Sequence, residues 1–275
     1  MTPRVPHNVT AGQNPVVSFG GALITEFLEP PPGRCFAFRQ TYKLKAPPGI
    51  EFEAVAKPSG PPLHFHPRQN EWFRCVAGRM AIEIDGRLRI LTPEDGEVMG
   101  RAGCVHRFSL APDSTEDMII VLSASDTGDD YMLDRVFFEN WYGLWHDAVM
   151  HHGGEFDWIQ LLCTYDGGDV YLVPDMALPM WARKCIGYWT GVILGRYIGG
   201  LLGYKPFLKE YTTDWDLAVA KMRSHWVLWW VSTSYQAARP WVVLQERAAA
   251  WADGKYVARA KLNGKNGRTG TDQDE

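Results

Sequence analysis

The spacing of hydrophobic and polar residues changes near residue 130. From Val16 to about Asp126, short runs of β-branched and aromatic residues are separated by Pro/Gly turns. Val17-Ser18-Phe19, Cys35-Phe36-Ala37-Phe38, Met80-Ala81-Ile82-Glu83-Ile84 and Met118-Ile119-Ile120-Val121-Leu122 are examples. Asp85-Gly86 lies between Ile82-Glu83-Ile84 and Leu88-Arg89-Ile90, the strongest short-range signal for a two-residue hairpin. Many short strands at regular spacing predict an all-β sandwich or barrel.

After Tyr131 the period becomes helical. Leu133, Val136, Phe137 and Trp141 recur at three and four residues, which predicts a helix with a buried face. In 185–204, Gly187, Gly191, Gly195, Gly199 and Gly203 fall at every fourth position. On a helix this makes a groove without side chains, where another backbone approaches closely. The run is about as long as one bilayer crossing, and the Trp-rich stretch 226–244 has the aromatics of a membrane interface. Arg196 sits mid-run, where a charge is costly in lipid. Three readings follow, in this order: a helix packed on the β domain, membrane-surface association through 185–204 and 226–244, and a bilayer crossing.

The expected layout is a flexible, proline-broken N-terminus (1–15), a β domain (16–130), a helical Trp/Gly-rich apolar extension (131–253) and a disordered polar tail (254–275). The chain is 46% hydrophobic and 22% charged, ordinary for a globular core, and its net charge of -4 argues against a nucleic-acid partner. The start lacks the basic flank and apolar run of a secretory signal. The expected location is therefore intracellular, cytoplasmic or peripherally membrane-associated, and the Asn8-Val9-Thr10 sequon carries no meaning there. Five cysteines without a CxxC pair predict reduced, mostly buried thiols.

The chemistry concentrates in two places. In Leu63-His64-Phe65-His66, strand alternation points both imidazoles to one face, and the turn at Pro67-Arg68-Gln69-Asn70 returns the chain so that Glu71 can join them. Further on, Gly103 makes a turn and His106 enters a new strand. An ordinary core or surface role explains a lone histidine, but not three of eight at matching positions beside a glutamate. Three imidazoles and a carboxylate form a donor set that suits iron, manganese, nickel, copper or zinc. A structural zinc site would more typically use cysteine, and Cys75 and Cys104 lie at neither required spacing.

These residues resemble the cupin superfamily. The first cupin motif is matched by His64, His66, Glu71 and Gly78, although Gly60 lies too close to His64 to be its leading glycine. The second keeps Gly103 and His106 but carries Arg101 in place of proline and Leu110 in place of asparagine. The resemblance spans about residues 35–125. It implies a mainly β, cupin-type jelly-roll β-barrel, here with an α-helical C-terminal extension. It also implies one divalent transition metal, Fe2+ first, with Zn2+, Mn2+, Ni2+ or Cu2+ as alternatives, held by His64, His66, Glu71 and His106. Glu71 and Arg101 are the candidate catalytic residues, Arg101 as an anion holder or equally as a plain turn residue. Gln69, Asn70 and Phe73 are candidate pocket residues, and His146, His151 and His152 read as surface or capping residues.

The layout is similar to cupin proteins of fungal polyketide and other secondary-metabolite pathways. That implies a metal-dependent oxidoreductase or oxygenase acting on a small lipophilic, polyketide-like or phenolic substrate. A redox-neutral Lewis-acid isomerase, cyclase or dehydratase and a non-catalytic binding cupin are the alternatives, and a homodimer is left open.

Overall fold

Alternation along the strands sets the architecture. The computed structural model describes residues 3–45 and 60–225. Two antiparallel sheets enclose one apolar core. The first runs in the order β1 (Val16–Ser18), β2 (Leu23–Leu28), β3 (Arg34–Tyr42), β10 (Met118–Ser125), β5 (Glu71–Ala77), β8 (Glu97–Gly100). The second runs β11 (Tyr171–Leu172), β4 (His64–Phe65), β9 (His106–Leu110), β6 (Met80–Ile84), β7 (Arg87–Leu91). This is the cupin jelly roll that the sequence implies, although among the described residues the two sheets do not join into one continuous hydrogen-bonded barrel.

In β5, Glu71, Phe73 and Cys75 are buried while Arg74 and Val76 are exposed, so the period of two that builds the core also turns Glu71 inward. Phe38, Phe73 and Ile120 of the first sheet meet Met80, Ile82 and Phe108 of the second. The expected hairpin joins β6 and β7, with Asp85 at φ 48 and Gly86 at φ 76, the two positive values that a type I′ turn needs.

The helices are α1 (Arg135–His151), α2 (Trp158–Gly167), α3 (Met180–Thr190) and α4 (Trp215–His225), and α3 runs on into a wider π-helical turn over Gly191–Gly199. Asp134 caps α1, accepting from the Phe137 N–H at 3.0 Å. Phe137, Phe138, Trp141 and Tyr142 of α1 complete the core between the sheets, and the Phe138 ring lies 4.7 Å from that of Phe38. Burying each such aromatic stabilises the fold by about 1.5–3 kcal/mol. The helical region also supplies β11, whose Leu172 pairs with His64. A strand from far along the chain therefore borders the strand that carries the first histidine.

The glycine ladder packs on the protein. A Cβ on Gly187 would lie 1.9 Å from the Leu172 carbonyl oxygen, one on Gly195 2.6 Å from that of Leu162, and one on Gly199 2.4 Å from the Cys163 sulfur. This is the packed-helix reading. The opposite face leaves Trp181, Trp189, Ile193, Tyr197 and Leu201 exposed. Among the described residues, no helix is long and apolar enough to cross a membrane. The expectations for 226–244 and 254–275 concern residues outside the described set.

The proline-broken start, expected to be flexible, makes defined contacts from residue 3 onward. The His7 N–H donates to Asp147 at 2.6 Å, and the Thr10 and Ala11 N–H groups donate to the Glu210 carbonyl at 3.0 and 3.1 Å. All five cysteines are free.

Candidate metal centre

His64 and His106 are direct partners across β4 and β9. His66 follows β4, and its carbonyl accepts from the Gly103 N–H at 2.6 Å. Gly103 adopts φ 78, so the turn that starts β9 is held against the residue beside β4. Glu71 enters from the opposite sheet, at the first position of β5. One potential ligand atom from each of His64, His66, Glu71 and His106 lies within 4.8 Å of all the others. All four residues are at most 5% exposed.

The rings are oriented from behind. His64 Nδ1 lies 2.8 Å from the Pro62 carbonyl oxygen, which can only accept, so Nδ1 carries the hydrogen and Nε2 is left free to ligate. His106 Nδ1 lies 3.3 Å from the Cys104 carbonyl oxygen, and its Nε2 lies 2.8 Å from Glu71 Oε2. His66 differs. Its Nε2 is 3.4 Å from Glu71 Oε2 without hydrogen-bond geometry, and neither ring nitrogen has a partner. A buried polar atom left unpaired costs about 1–3 kcal/mol. A cation shared by the four side chains would remove that cost, so the donor set and its geometry fit a divalent transition metal.

The electrostatics agree. Burial, reinforced by neighbouring His106 and His66, pushes the His64 pKa well below its ordinary value and keeps the ring neutral. Burial also works against charge on Glu71 and His106, but their mutual contact prevails. The Glu71 carboxyl is held well below the usual carboxylate range by its hydrogen bond with His106 and by the closeness of His66. His106, bonded to Cys104 and Glu71, is pushed up to about 10. In the ion-free arrangement a proton on His106 neutralises Glu71.

The cluster heads a narrow apolar cavity with about 30 Å³ of free space, room for one or two waters. Phe38 and Phe108 line it from the sheets, and Phe137, Phe138, Trp141 and Tyr165 from α1 and α2. Pro61, Phe108, Trp141, Trp145 and Tyr165 are shared with a wider outer groove.

Other candidates sit elsewhere. Arg101 is exposed on the turn before Gly103 and is not among the residues that line the cavity. Gln69 is structural: its amide nitrogen donates to the Ser125 and Leu133 carbonyls at 3.0 and 2.9 Å, tying the sheet to the lead into α1. Asn70 Oδ1 accepts from the Ala102 N–H at 2.9 Å. Phe73 is fully buried, with its ring 5.5 Å from that of His106. His152 is the C-cap of α1, and His151 is exposed at its last turn. His146 is half-buried and accepts from the Phe19 N–H at 3.1 Å.

What sequence reasoning missed is that α1 and α2 build the cavity wall. The helical face containing Phe137 and Trp141 carried the signal, but nothing in its period says that it meets a metal site rather than a plain core.

No family model matches the chain. Over 229 residues it is 58% identical to the "probable oxidoreductase patJ" of Aspergillus clavatus, covering 81% of this chain and 70% of that protein. It is 50% identical over 247 residues to the "epoxidase atD" of Aspergillus terreus, covering 87% and 76%. Among solved structures, an RmlC-like cupin from Shewanella frigidimarina aligns with 45% of this chain and 94% of its own, at 17% identity and a TM-score of 0.29. The fold is assigned on strand order and register, independently of that superposition.

Proposed function

We propose that this chain, which belongs to the family of the fungal "probable oxidoreductase patJ" and "epoxidase atD", is a metal-dependent cupin oxidoreductase acting on a small lipophilic, oxygenated substrate. One observation carries the reading. A buried His66 with two unpartnered ring nitrogens faces His64, Glu71 and His106 at the head of an aromatic cavity.

In this reading His64, His66 and His106 supply neutral imidazole nitrogens and Glu71 a carboxylate oxygen, and together they hold one divalent ion. Iron, when bound there, supplies redox chemistry with dioxygen as the oxidant. The protein's own residues do the rest. The Pro62 and Cys104 carbonyls fix the His64 and His106 rings, so the ligand positions are set before any ion arrives. Phe38, Phe137 and Phe138 keep the narrow inner cavity apolar, and the wider groove outside it, lined by Phe108, Trp141, Trp145 and Tyr165, accepts an apolar, ring-containing body. A phenolic or polyketide-like molecule of secondary metabolism has the matching character, greasy and oxygenated.

The test is the metal content of anaerobically purified protein by elemental mass spectrometry, beside a His64→Ala/His106→Ala variant. About one iron per chain in the wild type, lost in the variant along with oxygen uptake on phenolic substrates, is the expected result. Stoichiometric zinc, nickel or manganese with activity that persists without oxygen would replace this reading with redox-neutral Lewis-acid chemistry. Absence of any ion in either protein after reconstitution would overturn the metal site itself.

A further inference from the structure

A second buried polar group near the cluster also lacks a partner. Tyr165, on α2, is 3% exposed, and its hydroxyl makes no hydrogen bond. Its ring packs against Trp141 and Phe137, with centroids at 5.0 and 6.0 Å. It lines both the cavity that holds His64, His66 and Glu71 and the groove outside it.

Two other buried phenols, Tyr42 and Tyr211, are satisfied. The Tyr42 hydroxyl donates to Gln40 Oε1 at 2.6 Å, and the Tyr211 hydroxyl donates to Asp147 at 2.7 Å. A phenylalanine at 165 would fill the same space without burying an unpaired hydroxyl, so the hydroxyl needs an explanation beyond packing. Burial raises its pKa, which leaves a neutral donor rather than a phenolate.

We propose that Tyr165 binds substrate, donating a hydrogen bond to a neutral oxygen (a carbonyl, ether or epoxide) on a molecule whose apolar body lies in the outer groove against Trp141 and Trp145. The hydroxyl and the cluster then hold two parts of one ligand, and the tyrosine sets which oxygenated compounds enter. The substrate class rests on the function proposed above, whereas the hydrogen bond itself does not pass through the metal.

Acetophenone and ethylbenzene make a near-isosteric probe pair, with a carbonyl in one and a methylene in the other. Their binding to purified wild type and to Tyr165→Phe is followed through tryptophan fluorescence, with metal content and melting temperature measured on the same samples. In the variant, acetophenone affinity should fall about tenfold while ethylbenzene affinity holds or improves. The variant should melt no lower than wild type and keep the same metal content. A structural hydroxyl would do the reverse, lowering the melting temperature and leaving the two affinities in proportion. Unchanged acetophenone affinity in Tyr165→Phe, an equal loss for both probes, or a wild type that does not bind acetophenone would each overturn the assignment. A wild type without metal that still shows the acetophenone-selective loss would sink the metal reading and leave Tyr165 standing.

Discussion

Two buried polar groups in this molecule are built to different specifications. In the helical region, Asp166 is fully buried, and its two oxygens accept from the Arg196 guanidinium at 2.8 and 2.9 Å and from the Tyr171 hydroxyl at 3.3 Å. Arg68 serves Asp169 in the same way at 3.0 Å. In the β domain, His64, His66, Glu71 and His106 converge just as closely, yet both nitrogens of His66 are left over. The first grouping is complete within the chain and holds the π-helical turn to α2. The second leaves both His66 ring nitrogens without a hydrogen bond, which a bound cation would satisfy. Orphaned atoms, rather than burial or charge alone, separate a ligand site from a structural ion pair.

The largest effect that follows is on the complete grouping. Arg196→Met keeps the length and apolar stem but strands a fully buried carboxylate. It should destabilise the fold by about 3–5 kcal/mol, read from the denaturant midpoint. A loss below about 1 kcal/mol would place the pair with ordinary surface salt bridges and dissolve the contrast.

The incomplete grouping should instead exchange a ligand for a proton. With its pKa raised to about 10 against an ordinary 6.5, His106 in the ion-free protein keeps its proton throughout the neutral range. Its contribution to ion-free stability is full below its unfolded value and is lost as pH rises through about 10. An ion must displace that proton, so apparent metal affinity should climb with pH, by up to about tenfold per unit, and level off near 10. Calorimetry at pH 8 in two buffers of different ionisation enthalpy should count close to one proton released per ion. No release would mean that His106 is neutral before binding or is not a ligand.

One side of this contrast was legible in the sequence and the other was not, for reasons particular residues make clear. His64 and His66 lie two apart on a strand, so periodicity put them on one face, whereas Glu71 and His106 joined them through the resemblance to the cupin motifs. Asp85-Gly86 announced its hairpin because only a few residues tolerate two positive φ values. Arg101 could not be placed, because a turn residue has no period to fix its direction; it is exposed. The partnership of Arg196 with Asp166, thirty residues apart, was invisible for a different reason. It depends on how the glycine ladder seats one helix on another. The cavity wall on α1 and α2 was hidden likewise, since an aromatic helical face reads the same whether it meets a plain core or a ligand.

The smallest effect is the most discriminating. His66→Leu replaces an imbalanced imidazole with an apolar side chain of similar volume. It loses no side-chain hydrogen bond, because the His66 ring makes none. In chelator-treated protein the variant should therefore unfold within about 1 kcal/mol of wild type, or slightly later, since a buried unpaired group has been removed. Supplying the metal that wild type carries should then raise only the wild-type midpoint, because an ion bound to the folded state stabilises it by mass action. If His66→Leu instead costs several kcal/mol without metal, the imidazole is a structural member of the core. The two polar groupings would then differ in degree rather than in kind.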